Sequence, residues 1–143
     1  METVYLGLGS NLGDRRANLQ EALQRIGALE GTHLRAVSSI VESVPQGKWD
    51  GAPAGDFLNC CARIDTTLTP GELLRETKRI ESELGRAPHS GALYQDRPID
   101  IDILLFGDLC VDTPDLQIPH PRMRERAWVM EPLGEVLSLG KTR

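Results

Sequence analysis

From Thr3 to Leu8 apolar side chains take every second place: Val4, Leu6 and Leu8 share one face, and Tyr5, Gly7 and Gly9 the other. This period of two predicts a strand with one apolar and one nearly bare face. The period then lengthens. Leu19, Ala22, Leu23, Ile26 and Leu29 recur at helical spacing, with Asp14 placed to cap the start and Gly31 to stop the run. Leu34 to Val44, rich in β-branched residues and serine, and Phe57 to Thr66 read as two strands around a segment dense in glycine and proline. Thr69-Pro70-Gly71-Glu72 joins a capping box to a proline at the first helical position. Leu73, Leu74, Thr77, Ile80 and Leu84 then form one stripe before Gly85, which predicts a second helix. Ile99 to Phe106 puts isoleucines and leucine on one face and Asp100 and Asp102 on the other, a strand whose acidic side is expected to stay out of the core.

The order β-α-β-β-α-β, without internal repeats, predicts an α+β, ferredoxin-like fold: a mostly antiparallel sheet with flanking helices packed on one face. The 143 residues fit one domain, 1–143. No stretch approaches the ~20 apolar residues of a membrane span. The N-terminal METVYLGLGSN has no basic-then-apolar leader pattern, so a soluble, cytoplasmic monomer without membrane contact is expected. Cys60, Cys61 and Cys110 are odd in number and two are adjacent, which suits reduced, packed thiols better than disulfides or zinc. A net charge of −5 argues against a nucleic-acid surface, so any anion must be held by locally gathered arginines.

Alternate strand residues share a face and rise ~3.3 Å each, so Asp100 and Asp102 project two carboxylates the same way, ~6–7 Å apart. Magnesium is a hard cation that takes one or two carboxylates together with waters and substrate phosphates, and this pair suits it. A solvated outer face would leave the same pattern. Arg86, Arg97, Arg122, Arg124 and Arg126 flank the acidic strand and the Ile118-Pro119-His120-Pro121 turn as candidate phosphate clamps, because guanidinium forks match phosphate oxygens. His120, between prolines, is restrained and suited to donate to a phosphate or ribose oxygen. On the strand from Phe57, Leu58, Cys60, Ala62 and Ile64 form a core face, leaving Phe57 and Asn59 opposite. An aromatic that can stack beside an amide that can read an edge suits a pterin or a purine. The run Gly7 to Gly13 lacks the ending and spacing of a Walker or Rossmann loop.

Taken together, Gly9-Ser10-Asn11-Leu12-Gly13, Phe57-Leu58-Asn59, Arg97-Pro98-Ile99-Asp100-Ile101-Asp102-Ile103-Leu104 and Pro119-His120-Pro121-Arg122-Met123 resemble the 6-hydroxymethyl-7,8-dihydropterin pyrophosphokinases, from Val4 to about Leu137. The resemblance implies transfer of diphosphate from ATP to the pterin, giving AMP, in folate biosynthesis. It implies two magnesium ions on Asp100 and Asp102, and a catalytic group of Arg86, Arg97, Asp100 and Asp102. It places Lys78, Glu81, Arg97, Ile103, His120 and Arg126 at ATP. It also implies a pterin pocket of Ser43, Val44, Pro45, Gln46, Phe57, Asn59 and Trp128, with Phe57 and Trp128 on the two ring faces. Leu93-Tyr94-Gln95-Asp96-Arg97 stands where the family commonly reads Arg-Trp-Gly-Pro-Arg, and Pro121 where a tyrosine often follows the histidine. A pterin- or nucleotide-binding module without turnover, and a nucleotidyltransferase attacking the α-phosphorus, remain open alternatives. Pro45 to Asp56 and Ala87 to Asp96 lack apolar periodicity and are expected to be lids over the substrates.

Overall fold

The structure, a computed structural model, describes residues 1–87 and 93–141. In chain order it forms β1 (Glu2–Ser10), α1 (Arg15–Gly27), β2 (Thr32–Val37), β3 (Val41–Ser43), β4 (Phe57–Thr66), α2 (Pro70–Glu83), β5 (Asp100–Phe106), β6 (Val111–Asp112), β7 (Gln117–Ile118) and α3 (Ala127–Lys141), with a 3-10 turn at Met123–Glu125. The main sheet runs β2-β4-β1-β5, every pair antiparallel, and β3 adds to β4 beyond the end of β2. A second, two-stranded sheet is the β6–β7 pair. The expected α+β, ferredoxin-like arrangement is therefore present. What was expected as one strand from Leu34 to Val44 is two, because the chain leaves the sheet between Val37 and Val41 and rejoins it at Asn59.

The helix caps follow the sequence. The Asp14 side chain accepts from Ala17 N, and Thr69 and Glu72 form the full reciprocal capping box. Both helices cover the sheet face made by Val4, Leu6, Leu8, Cys60, Ala62, Ile64, Ile101 and Ile103, with Leu19, Ile26, Leu73 and Ile80 closing the core above them. Each such side chain removed from water contributes roughly 1.5–3 kcal/mol, so this layer dominates stability.

The expectation of helices on one face only is corrected by α3. It packs on the opposite face, where Leu133 and Val136 meet Cys61, Leu104 and Met123 in a second, smaller core. Pro132 within α3 and the glycines at 134 and 140 obscured this helix in the sequence, since all three residues are poor helix formers. The acidic face of β5 is accordingly solvent-facing only at its start. Leu6 pairs with Ile103 and Tyr5 with Leu105, so Leu104 is an extra residue in β5. Alternation alone puts Leu104 in the second core, on the face of Asp100 and Asp102, and the bulge after it returns Phe106 to the first. Cys60 and Cys61 are buried free thiols, as expected, whereas Cys110 is exposed in the turn after β5 rather than packed. Burial pushes the thiols of both Cys60 and Cys61 up to about 12, which keeps them protonated and inert. Among the described residues no helix is long and apolar enough to cross a membrane.

Candidate active site

Where α3 stops covering the sheet, a cleft of about 310 Å³ opens over the ends of β1, β4 and β5. Its floor is the bare face of β1. An added Cβ on Gly9 would lie 3.1 Å from Asn59 Oδ1 and 3.4 Å from Phe57 Cδ1, so only hydrogen leaves that pair its place. Asn59 is 7 % exposed, and its Nδ2 donates to Val41 O at 3.1 Å and Ser43 Oγ at 2.9 Å. Because Val41 O can only accept, the amide nitrogen must face β3, and its oxygen is what remains for a ligand. The amide was expected to offer both donor and acceptor; its donors are in fact spent on β3.

Phe57 borders this floor, with the Trp49 ring 6.1 Å away and tilted 54°. Tyr94 stacks beside Trp49 at 6.0 Å, and the Arg97 guanidinium lies 5.6–5.9 Å from the centres of all three rings. Such cation–aromatic contacts are attractive. Trp128 enters the cleft from the first turn of α3.

The Gly9-to-Gly13 run acts as a tie. Asn11, 2 % exposed, accepts Arg97 N at its Oδ1 (2.9 Å) and donates from Nδ2 to Asp96 Oδ1 (2.8 Å). Arg97 is thereby fixed between the aromatic wall and the acidic strand, with Nη1 3.7 Å from Asp100 Oδ2.

Asp100 and Asp102 project into the cleft from the edge strand β5, with side chains 28 % and 35 % exposed. Arg86 Nη1 lies 2.8 Å from Asp100 Oδ1 and 2.9 Å from Glu81 Oε2. Burial, then the neighbouring Asp100 charge, raises the Asp102 pKa, and Arg126 opposes the rise. Burial also raises that of Glu81, against the charge of Arg86 and the hydrogen bond from Ile101 N. Both carboxylates are thus held against their charge, chiefly by burial. Among the described residues no group of three or more His, Cys, Asp or Glu side chains could hold a metal by itself. Two outward carboxylates without a closed cage fit a magnesium ion that completes its shell with water and phosphate oxygens.

A sequence model of the 7,8-dihydro-6-hydroxymethylpterin-pyrophosphokinase family matches residues 5–138. The chain belongs to this family. It is 42 % identical over 133 residues to the 2-amino-4-hydroxy-6-hydroxymethyldihydropteridine pyrophosphokinase of Bacillus subtilis, covering 93 % of this chain and 77 % of that one. It is 44 % identical over 138 residues to the protein of that name from Porphyromonas gingivalis, covering 95 % of this chain and 91 % of the other. The folate synthesis bifunctional protein, mitochondrial, of Pisum sativum is 43 % identical over 136 residues, 95 % of this chain but 25 % of the plant protein.

Against the pyrophosphokinase pattern, the fold brings Ser43, Val44, Gln46, Phe57, Asn59, Arg97, Asp100, Asp102, Arg126 and Trp128 to the cleft wall. Pro45 lies in the same loop, half-buried. His120 is at its rim, Nε2 4.0 Å from Asp102 Oδ2. His120 Nδ1 accepts from Arg122 N at 3.3 Å, so Nε2 carries the hydrogen. Burial, then Arg126, lowers the His120 pKa and leaves the ring neutral near pH 7. Lys78 is exposed on α2, and Ile103 points into the core at 4 % exposure, which leaves only its backbone to meet a nucleotide. Glu81 is 5 % exposed beneath β5 rather than at the cleft surface. Sequence reasoning missed Trp49, Tyr94 and Asp96 as parts of the site. The signal for two of them was aromatic residues in otherwise polar loops.

Proposed function

We propose that the chain transfers diphosphate from ATP to 6-hydroxymethyl-7,8-dihydropterin, releasing AMP and the pterin methyl diphosphate for folate synthesis. The observation that carries the reading is the adjacency, on one glycine floor, of the Phe57–Asn59 pair and the Asp100–Asp102 pair. One pair suits a flat heterocycle with donor groups on its edge, and the other a metal-bound polyphosphate.

Asp100 and Asp102 would hold two magnesium ions, which would supply charge neutralisation on the phosphate oxygens. Asn59 Oδ1 accepts from the pterin edge while Phe57 and Trp128 flank the ring, so the hydroxymethyl group faces the aspartates. Its oxygen attacks the β-phosphorus as its proton passes to water, the bond from that phosphorus to the α,β-bridging oxygen breaks, and AMP leaves with that oxygen. Arg86, Arg97 and Arg126 balance charge as it shifts to the leaving group, and neutral His120 donates from Nε2. No covalent intermediate is required; alignment supplies most of the acceleration. Residues 1–143 act as one domain, a cytoplasmic monomer.

Incubation with ATP, magnesium and the hydroxymethyl dihydropterin, with the nucleotide product identified, tests the reading. AMP is expected. Pyrophosphate would mark attack at the α-phosphorus, and tight pterin binding without turnover would mark a binding module.

A further inference from the structure

Carboxylates are rarely buried unless paired, yet Glu81 is 5 % exposed on the last turns of α2. Its Oε2 accepts from Ile101 N at 2.7 Å, the peptide nitrogen between the two aspartates. The same oxygen lies 2.9 Å from Arg86 Nη1. That one nitrogen also reaches Asp100 Oδ1 at 2.8 Å and Ile99 O at 3.4 Å. A single guanidinium nitrogen therefore serves two carboxylates, one buried and one facing the cleft.

A divalent cation arriving at Asp100 finds that place already held by a positive group. Two cations on one carboxylate repel, so the guanidinium must give way, and Glu81 already holds it by the same nitrogen. Departure into solvent would strand Glu81 as an unpaired buried charge, which is costly. Arg86 is thus confined to a small shift beside the transferring phosphates.

We infer that Glu81 is a positioning residue whose buried carboxylate holds Arg86 as a displaceable counter-cation on Asp100, retaining the guanidinium at the site when a divalent metal takes that aspartate. The inference rests on the reading of Asp100 and Asp102 as metal ligands. Buried beneath β5, Glu81 acts through Arg86 and through Ile101 N.

The test is manganese(II) affinity, read from the electron paramagnetic resonance of the free ion, with and without α,β-methylene ATP. This analogue cannot break at the bond the reaction cleaves. Arg86→Gln removes the competitor and is expected to tighten manganese roughly tenfold. Glu81→Gln keeps an oxygen for Ile101 N but leaves Arg86, among the described residues, with Asp100 as its only ion-pair partner. It is expected to weaken manganese by a similar factor. In the double variant that weakening should vanish, because no guanidinium remains to compete. A Glu81 that merely braces β5 would give the same loss with or without Arg86, and that outcome overturns the inference. So does unchanged or weaker manganese binding by Arg86→Gln alone, a single substitution that keeps the test decisive should Glu81→Gln not fold. Asp100→Asn separates the two levels: if it leaves manganese affinity intact, the metal-site reading itself fails.

Discussion

Trp49 and Tyr94 form a parallel bridge across the mouth of the cleft: Tyr94 N donates to Lys48 O at 2.8 Å, and Asp50 N donates to Tyr94 O at 2.9 Å. Gly47 turns the chain with a φ of 85°, and a Cβ there would collide with the Tyr94 ring. Asp96 Oδ1 adds a second tie by accepting from Ala54 N and Asn11 Nδ2, both at 2.8 Å. The two loops expected as separate lids are therefore joined where they are described; residues 88–92 of the second lie outside the described residues.

Joined loops should open together. Asp96→Ala removes a carboxylate that accepts two hydrogen bonds, each worth roughly 1.5–3 kcal/mol when one partner is charged. Hydrogen exchange at Asp50, Ala54 and Tyr94 is expected to quicken in step by about tenfold or more. Faster exchange in one loop alone would show that they move independently. In the unsubstituted protein, magnesium, α,β-methylene ATP and pterin together should slow both segments and leave α2 unchanged.

The glycine floor makes a second prediction. Gly9→Ala would press on Asn59 Oδ1 and Phe57 at the distances given above, so the neighbours must shift by a few tenths of an ångström. Pterin affinity should fall by more than the melting temperature suggests, and ATP affinity should hold. Asn59→Ala, which removes the acceptor itself, is expected to cost roughly 1–3 kcal/mol of pterin binding. Titration calorimetry with each ligand separates these effects; an equal loss for ATP and pterin would speak for general disruption.

How far the sequence reached depended on how local each determinant is. Thr69 and Glu72 are three residues apart, so the capping box was readable before any fold was known. Phe57 with Asn59, and Asp100 with Asp102, share faces by the strand period alone. The contacts that finish the site cross long stretches of chain. Arg86 meets Asp100, Asn11 meets Asp96, and Trp49 meets Tyr94, and no periodicity connects these partners. The second core was hidden for a related reason: Cys61 and Leu104 look solvent-facing until α3 covers them.

Removing charge from the acidic pair should abolish most turnover. Asp100→Asn and Asp102→Asn are each expected to lower kcat by at least ~100-fold, since each takes one anionic ligand from a metal clamp worth several kcal/mol. The two variants should differ in the free protein. Asp100→Asn loosens Arg86, whereas Asp102 has no described ion pair shorter than its 4.0 Å approach to His120. Single-turnover measurements at saturating ATP check the rate, and near wild-type kcat in both would remove the aspartates from the mechanism.

Without metal, Asp102 costs the folded protein stability. Its folded pKa is raised, first by burial and then by Asp100, above the ordinary value of about 3.9. As pH rises past that ordinary value the unfolded chain sheds this proton while the folded chain keeps it. The folded state then binds more protons, so the free energy of unfolding falls with pH until Asp102 ionises in the folded state as well. Carboxylates such as Asp65, lowered by Arg35 and Thr3 against the effect of burial, work in the opposite sense, so total stability does not isolate the effect. The difference between wild type and Asp102→Asn does. In chelator, the variant's melting temperature should gain on wild type as pH rises from about 4 through the raised pKa, and level off above it. Magnesium with α,β-methylene ATP favours the ionised carboxylate and should reverse the order at pH 8. A gap that stays constant across the titration, with or without metal, would mean that Asp102 is not held against its charge by the fold.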